Sequence, residues 1–163
     1  MKVRPRRLLL DTNLLVLLIV GAWDRNLIGR HRRLKAFAPQ DLDLLLEAMT
    51  RFGTAICCTA HCLAEASNLV ADAVGEPART AIMNLFREFI LARPEIAVES
   101  ASAARDTAFA RLGLADTGIL VAAGDRPCVL TDDAELSAEL QSRRLPSINF
   151  NHYRIAGWGS FST

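Results

Sequence analysis

Five carboxylates in this sequence stand where a carboxylate could do chemistry. Asp11 directly follows the apolar run Leu8-Leu9-Leu10, and Thr131-Asp132-Asp133 ends the run Cys128-Val129-Leu130. If both runs are buried parallel strands, their acids reach one edge, because open parallel sheets bind ligands beyond the carboxyl ends of their strands. Glu65 lies within Cys62-Leu63-Ala64-Glu65-Ala66, and Asp116 between Leu114-Ala115 and Thr117-Gly118-Ile119. A charge in such apolar settings is costly without a partner. Each acid alone has an ordinary explanation. An aspartate after a strand caps the next helix, and a carboxylate on an apolar helix pairs with an arginine. A cation shared by all of them accounts for more. Clustered oxygen ligands without Cys or His suit a hard ion, Mg²⁺ or Mn²⁺. Such ions do phosphoryl chemistry by neutralising phosphate charge and activating water. Carboxylates gathered in this way repel one another and lose hydration, so some of their pKa values are expected to rise on folding.

The elements that must carry these acids follow from periodicity and punctuation. Short apolar runs at Leu8–Leu10, Thr54–Cys58, Ile96–Val98, Cys128–Leu130 and Ser147–Phe150 read as strands. Between them the spacing predicts helices over Leu14–Val20, Asp41–Phe52, Ala60–Ala73, Pro77–Ala92, Ser100–Leu112, Thr117–Ala123 and Ala134–Arg143. Asp41, Thr59 and Ser100 are the expected caps, and Asp116 is expected to open its short helix. Gly21–Gln40 reads as a loop carrying the basic run Arg30-His31-Arg32-Arg33-Leu34-Lys35. Buried strands alternating with amphipathic helices mean an α/β fold, with a mainly parallel sheet of about five short strands covered on both faces.

A length of 163 residues, 51% of them hydrophobic and 23% charged, fits one globular domain. The net charge of +1 argues against a protein that coats bulk polyanions, but its distribution is uneven. Residues 1–38 carry nine Lys/Arg against two acids, and the remainder ten against sixteen. That asymmetry is compatible with a nucleic-acid-facing end, although seventeen of the nineteen cations are Arg, which also suits a simple compositional bias. Cys57, Cys58, Cys62 and Cys128 show no zinc spacing and read as reduced thiols. The apolar stretch Leu14–Val20 is far below the ~20 residues of a membrane span. A cytoplasmic protein with no membrane association is expected.

Four segments in order resemble PIN-domain nucleases, and among these most closely the VapC-type toxins of bacterial toxin–antitoxin modules. They are Leu8-Leu9-Leu10-Asp11-Thr12-Asn13, Leu63-Ala64-Glu65, Leu112-Gly113-Leu114-Ala115-Asp116-Thr117 and Leu130-Thr131-Asp132-Asp133, and the resemblance covers residues 8–150. It implies a PIN-like fold in which Asp11, Glu65, Asp116 and Asp133 bind metal, with Asp132 a second candidate for the fourth position. Asn13 and Thr131 match residues that support the acids by hydrogen bonds. The implied activity is Mg²⁺- or Mn²⁺-dependent endonucleolytic cleavage of RNA. The implied partners are an RNA substrate, a protein inhibitor (the antitoxin) and a second copy of the chain.

The stretch 21–40 is longer than the usual toxin's, and its basic run lies outside the shared motifs. Arg30, Arg32, Arg33 and Lys35 are expected to contact RNA phosphates, against the plainer reading of a solvated loop. Alternatives to a toxin are a housekeeping or phage-defence nuclease, or an inactive PIN module that only binds RNA or protein. Other chemistries fit less well. A haloacid-dehalogenase phosphatase needs a second Asp where Asn13 stands, and a dinucleotide binder needs G-x-G-x-x-G after its first strand. Cysteine catalysis needs a histidine facing a thiol, and His61 precedes Cys62 by one residue on a helix. His61 is expected as a partner of Glu65, four residues on, or as a surface residue.

Overall fold

The computed structural model describes residues 7–52 and 55–156. The chain builds an α/β fold on a five-stranded, all-parallel sheet. Its strands are β1 (Leu8–Leu10), β2 (Ile56–Thr59), β3 (Glu95–Ile96), β4 (Cys128–Thr131) and β5 (Ser147–Asn149), in the order β3-β2-β1-β4-β5. The helices are α1 (Thr12–Trp23), α2 (Pro39–Phe52), α3 (Ala60–Leu69), α4 (Ala78–Ala92), α5 (Ser100–Ala104), α6 (Phe109–Ala122), α7 (Ala134–Ser142) and α8 (Phe150–Ala156).

Two-residue alternation between two buried faces explains why β1, β2 and β4 are buried throughout and apolar except for Thr59 and Thr131 at the ends of β2 and β4. Leu8, Leu10, Ile56, Cys58, Cys128 and Leu130 pack on one face with α1, α2 and Phe150. Leu9, Cys57 and Val129 pack on the other with Ile119, Leu120, Leu136 and Leu140 of α6 and α7. Both faces are therefore core, as parallel strands require. From β1 the chain first builds outward through β2 and β3, then returns to place β4 on the other side of β1. The direction of winding thus reverses between β1 and β4, and the carboxyl ends of those two strands border the crevice where such sheets bind ligands. Among the described residues no helix is long and apolar enough to cross a membrane.

Several boundaries differ from the sequence expectation. α1 starts at Thr12 and continues to Trp23 rather than stopping at Gly21. Gly21 is a packing residue there: a Cβ would stand 2.9 Å from both Ile28 Cδ1 and Leu42 Cδ2. The expected loop 21–40 is anchored by buried Ile28, His31, Leu34 and Phe37 and contains the 3₁₀ turn Arg25–Leu27. Thr54 of the expected second strand lies outside the described residues, and the strand runs Ile56–Thr59. α3 ends at Leu69 instead of Ala73, which takes a left-handed φ of 58°. α2 begins at Pro39, with Asp41 inside its first turn accepting the Ala38 N–H. The last strand stops at Asn149, and fully buried Phe150 opens α8, a helix the sequence pattern did not suggest.

The expected helix Ser100–Leu112 is broken in two. Asp106 accepts the Ala108 N–H and holds Arg143 through both carboxylate oxygens, which fixes a turn where the helix would continue. α6 then kinks at Gly113 (φ 81°, ψ −179°), so Asp116 sits one turn into its second half rather than opening a helix. Nothing lies within 4 Å of a Cβ placed on Gly113, so the kink is a purely conformational demand for glycine. Gly113→Ala is expected to cost about 1–3 kcal/mol of stability from backbone strain alone. Gly124→Ala, equally uncrowded but without positive φ, is expected to be neutral or slightly stabilising. Urea titration of both variants checks the pair, and an equal loss from each would refute the assignment of the kink to Gly113.

Candidate functional site

Asp11 forms the base of the site. Its Oδ1 accepts the Leu14 N–H at 2.9 Å, which caps α1. Its Oδ2 accepts the Thr131 hydroxyl and, at 3.1 Å, the Asp132 N–H. The Asp11 N–H in turn donates to the Leu130 carbonyl, so β1 and β4 are tied across the crevice in both directions. Asp11 is only 3% exposed. Burial, and then the charge of Asp132, hold its carboxyl well above the usual range against these hydrogen bonds.

The turn after β4 supplies two more carboxylates. The Thr131 Oγ accepts the Asp133 N–H at 3.0 Å, and Asp133 Oδ1 caps α7 through the Leu136 N–H at 2.8 Å. Asn13 Nδ2 donates to Asp132 Oδ1 at 3.4 Å. Burial pushes the Asp132 carboxyl up, partly offset by that bond from Asn13. Thr131 and Asn13 thus both bond to the acids, and Asp132 and Asp133 both face them.

Helices bring the other two. Thr59 caps α3 through the Cys62 N–H, and the Thr12 hydroxyl donates to Glu65 Oε2 at 2.7 Å. Glu65 itself is exposed, because α3 buries only Cys62 and Ala66; the expectation that its charge is isolated in an apolar setting does not hold. α6 presents Asp116, half-buried and, among the described residues, without a hydrogen bond or ion pair. Burial, then the charges of Asp133, Glu65, Asp132 and Glu135, raise its pKa to about 7. Neither Glu65 nor Asp116 has an arginine partner among the described residues.

The five acids are therefore electrostatic neighbours at one sheet edge. They are not a closed coordination shell: among the described residues no three Asp, Glu, His or Cys side chains are arranged to hold a metal ion. The donor chemistry fits a hard divalent cation: it is all carboxylate oxygen, and among the described residues none of the five acids has an ion pair. Asp11 and Asp133 are fixed by backbone hydrogen bonds, whereas Asp116 has none to break. Thiol chemistry has no basis here, since all four cysteines are buried, and burial pushes Cys57 and Cys128 to about 11 and Cys62 to about 12.

Other predicted residues fall elsewhere. His61 pairs through Nε2 with Ser100 Oγ at 2.8 Å rather than with Glu65, and Ser100 is thereby not a cap. The basic run follows the C-terminal end of α1, a helix about 18 Å long whose other end is at Asp11. His31 bonds the Val70 carbonyl, and Arg32 approaches Asp72 at 3.7 Å, so the run is docked at the far end of α3 as well. Arg30, Arg32 and Lys35 line an open bay of ≈ 600 Å³ with Asp72 and Glu76, and Arg33 lies outside it. The cations expected beside the acids thus lie beyond the ends of α1 and α3 that are remote from Asp11 and Thr59. Thr12 and Glu135 act on the site without having been singled out from sequence. Thr12 was detectable in principle, being the middle residue of Asp11-Thr12-Asn13; Glu135 has no signal beyond a solvated helix. No family model matches this chain, and neither a curated protein nor a solved structure matches it.

A carboxyl whose pKa is higher folded than unfolded favours folding at low pH. That advantage disappears as pH climbs from the unfolded value of 3.8 to about 7. Asn cannot ionise and is nearly isosteric. In chelator, Asp116→Asn is therefore expected to melt with the wild type at pH 4 and at an equal or higher temperature at pH 8. A variant that is unfolded at pH 8 would identify Asp116 as a structural partner instead.

Proposed function

We propose that this chain is a divalent-metal-dependent endoribonuclease of the PIN type, acting as the toxin of a toxin–antitoxin module. The observation that carries the proposal is Asp116: a half-buried carboxylate with no cationic partner among the described residues, raised to about 7 by burial and then by Asp133, Glu65 and Asp132. Such a charge is retained at a cost unless something positive completes it. The ordered resemblance of residues 8–150 to PIN nucleases supplies the reaction class.

On this reading Asp11, Glu65, Asp116 and Asp133 hold Mg²⁺ or Mn²⁺, with Asp132 alongside. The ion supplies neutralisation of phosphodiester charge and activation of water toward phosphorus. Asp11 and Asp133 are the preset members, because each also caps a helix; Thr12 orients Glu65, while Thr131 and Asn13 orient Asp11 and Asp132. A nuclease toxin implies an inhibitor protein, a cytoplasmic RNA target and, by the same resemblance, a homodimer. The lack of a closed shell among the described acids favours one rival, a module that binds RNA without cutting it.

Purified protein is expected to cleave a mixed RNA pool with Mn²⁺ or Mg²⁺ and not with chelator, and Asp116→Asn to cleave none. Mn²⁺ at a hundredfold excess over its Kd stabilises by about 2.7 kcal/mol if it binds only the folded state. Expression in a bacterial host is expected to slow growth, and Asp116→Asn to relieve it. RNA binding without cleavage or a Mn²⁺-dependent shift in melting would leave the binding module.

The basic run contributes differently from the expectation. The run follows the end of α1 remote from Asp11, and that helix is about 18 Å long against a screening length of about 8 Å at physiological salt, so the run's attraction for a phosphate held at the acids is weak. They can only hold a different part of a long polyanion. Neutralising Arg30, Arg32, Arg33 and Lys35 together is expected to reduce the salt slope of RNA binding by about 3, at about 0.7 per phosphate for a single strand. Cleavage of a short oligonucleotide is expected to persist. An unchanged slope removes the run from the RNA surface.

A further inference from the structure

The residue that opens toward the site from the last helix had no place in the sequence motifs. Asn151, in the first turn of α8, donates from Nδ2 to the Asp132 carbonyl at 2.7 Å. Its own N–H is held by Asn149 Oδ1 at 3.0 Å, and neighbouring Phe150 is fully buried, so the start of α8 is fixed against β5. Arg154 Nη1 donates to Asn151 Oδ1 at 3.3 Å. A guanidinium can only donate, so the amide oxygen must face Arg154 and the amide NH₂ must face Asp132. Arg154 is set in turn by Asp41 through Nε at 3.1 Å, by the Ala36 carbonyl at 2.5 Å, and by the Phe37 ring at 5.1 Å from its guanidinium carbon. A chain of donors thus runs from the segment before α2 through α8 to the turn that carries Asp132 and Asp133.

We infer that Asn151, oriented by Arg154, is a positioning residue that fixes the Asp132–Asp133 turn for cation binding. The inference rests on the metal-site reading above. Asp132 is gripped on both of its peptide bonds: its N–H by Asp11 Oδ2 and its carbonyl by Asn151. With both ends held, the backbone of Asp132 has one conformation, and Asp133 is delivered to its cap on α7 and to the neighbourhood of Asp116. Without Asn151 the peptide between Asp132 and Asp133 is held only through its N–H, by Thr131 Oγ, and its carbonyl side has room to tilt under repulsion among the carboxylates around it.

The test uses the full chain as wild type, Asn151→Ala and, as a packing control in β5 outside this chain of donors, Ile148→Val. Mn²⁺ affinity is read by electron paramagnetic resonance, global stability by melting in chelator, and local order by amide hydrogen exchange at Asp132 and Asp133. Loss of an outer partner of metal ligands weakens metal binding by about 10–100-fold. Asn151→Ala is therefore expected to bind Mn²⁺ at least tenfold more weakly and to exchange faster at those two amides. Ile148→Val is expected to melt lower with unchanged Mn²⁺ affinity. Should Asn151→Ala fail to fold, Asn151→Ser, which keeps a polar group too short for the Asp132 carbonyl, is read in its place. A Kd within twofold of wild type overturns the role of Asn151 and leaves the metal site standing. A wild type that binds no Mn²⁺ overturns both.

Discussion

A single buried carboxylate, Asp11, sets the position of almost everything at the sheet edge. Burying a charge between two strands is unfavourable unless donors surround it, and here the Leu14 and Asp132 amides and the Thr131 hydroxyl do so. Those donors come from the next helix and from the neighbouring strand. Satisfying Asp11 therefore fixes the start of α1 and the end of β4 together. Thr12 and Asn13, next along the chain, reach Glu65 and Asp132 because α1 begins where Asp11 caps it. The reversal of strand winding between β1 and β4 supplies the crevice, and Asp11 is the residue that ties its two walls.

The same molecule treats its other carboxylates in the opposite way. Asp106 receives both Nη groups of Arg143 and is held down at about 2, and Asp43 and Glu139 are lowered by Arg25 and Arg143. Asp41, buried at the start of α2, is met by Arg154. Arginines are plentiful in this chain, and Arg25, Arg51, Arg111, Arg143 and Arg154 all pair with acids away from the sheet edge. At the sheet edge, among the described residues, no arginine pairs with Asp11, Asp116 or Asp132, and all three carboxyls are raised. The missing counter-charge there is a local property of the edge, since the chain does not lack cations elsewhere.

The sequence made the strands readable because both faces of β1, β2 and β4 are core, and an all-apolar run ended by a polar turn has few other meanings. Asp11 and the Asp132–Asp133 pair were visible for the same reason: they mark where those runs stop. What the sequence concealed depended on contacts between distant segments. The break before α6 comes from Asp106 meeting Arg143, thirty-seven residues on. α8 looked like the end of a strand because Ile148 and Phe150 are apolar in alternation, while Asn149 capping Asn151 turns the chain into a helix instead. Glu65 was singled out for a burial it does not have, on a helix that presents that face to solvent. The basic run was expected near the acids because composition shows charge without showing that α1 carries the chain away from Asp11 before the run begins.

Rigidity is divided unequally among the acids, and that division bears on how the edge could take up a cation. Asp11 and Asp133 are anchored through helix-capping bonds, and moving either would free backbone N–H groups that then need new partners. Glu65 holds one hydroxyl on an exposed side chain, and Asp116 holds nothing. Drawing these two inward around a cation would cost side-chain entropy and one hydrogen bond, and the cation's charge would offset the repulsion that, after burial, raises Asp116. The helices α3 and α6 are themselves held in the core through Cys62, Ala66, Ile119 and Leu120, so the freedom at these two positions lies in the side chains. An edge with two fixed and two adjustable acids can stay open as carboxylates that repel one another and close when a positive charge reverses the sign of that interaction. The energy for such a closure would come from the ion's charge, with Asp11 and Asp133 as the fixed members.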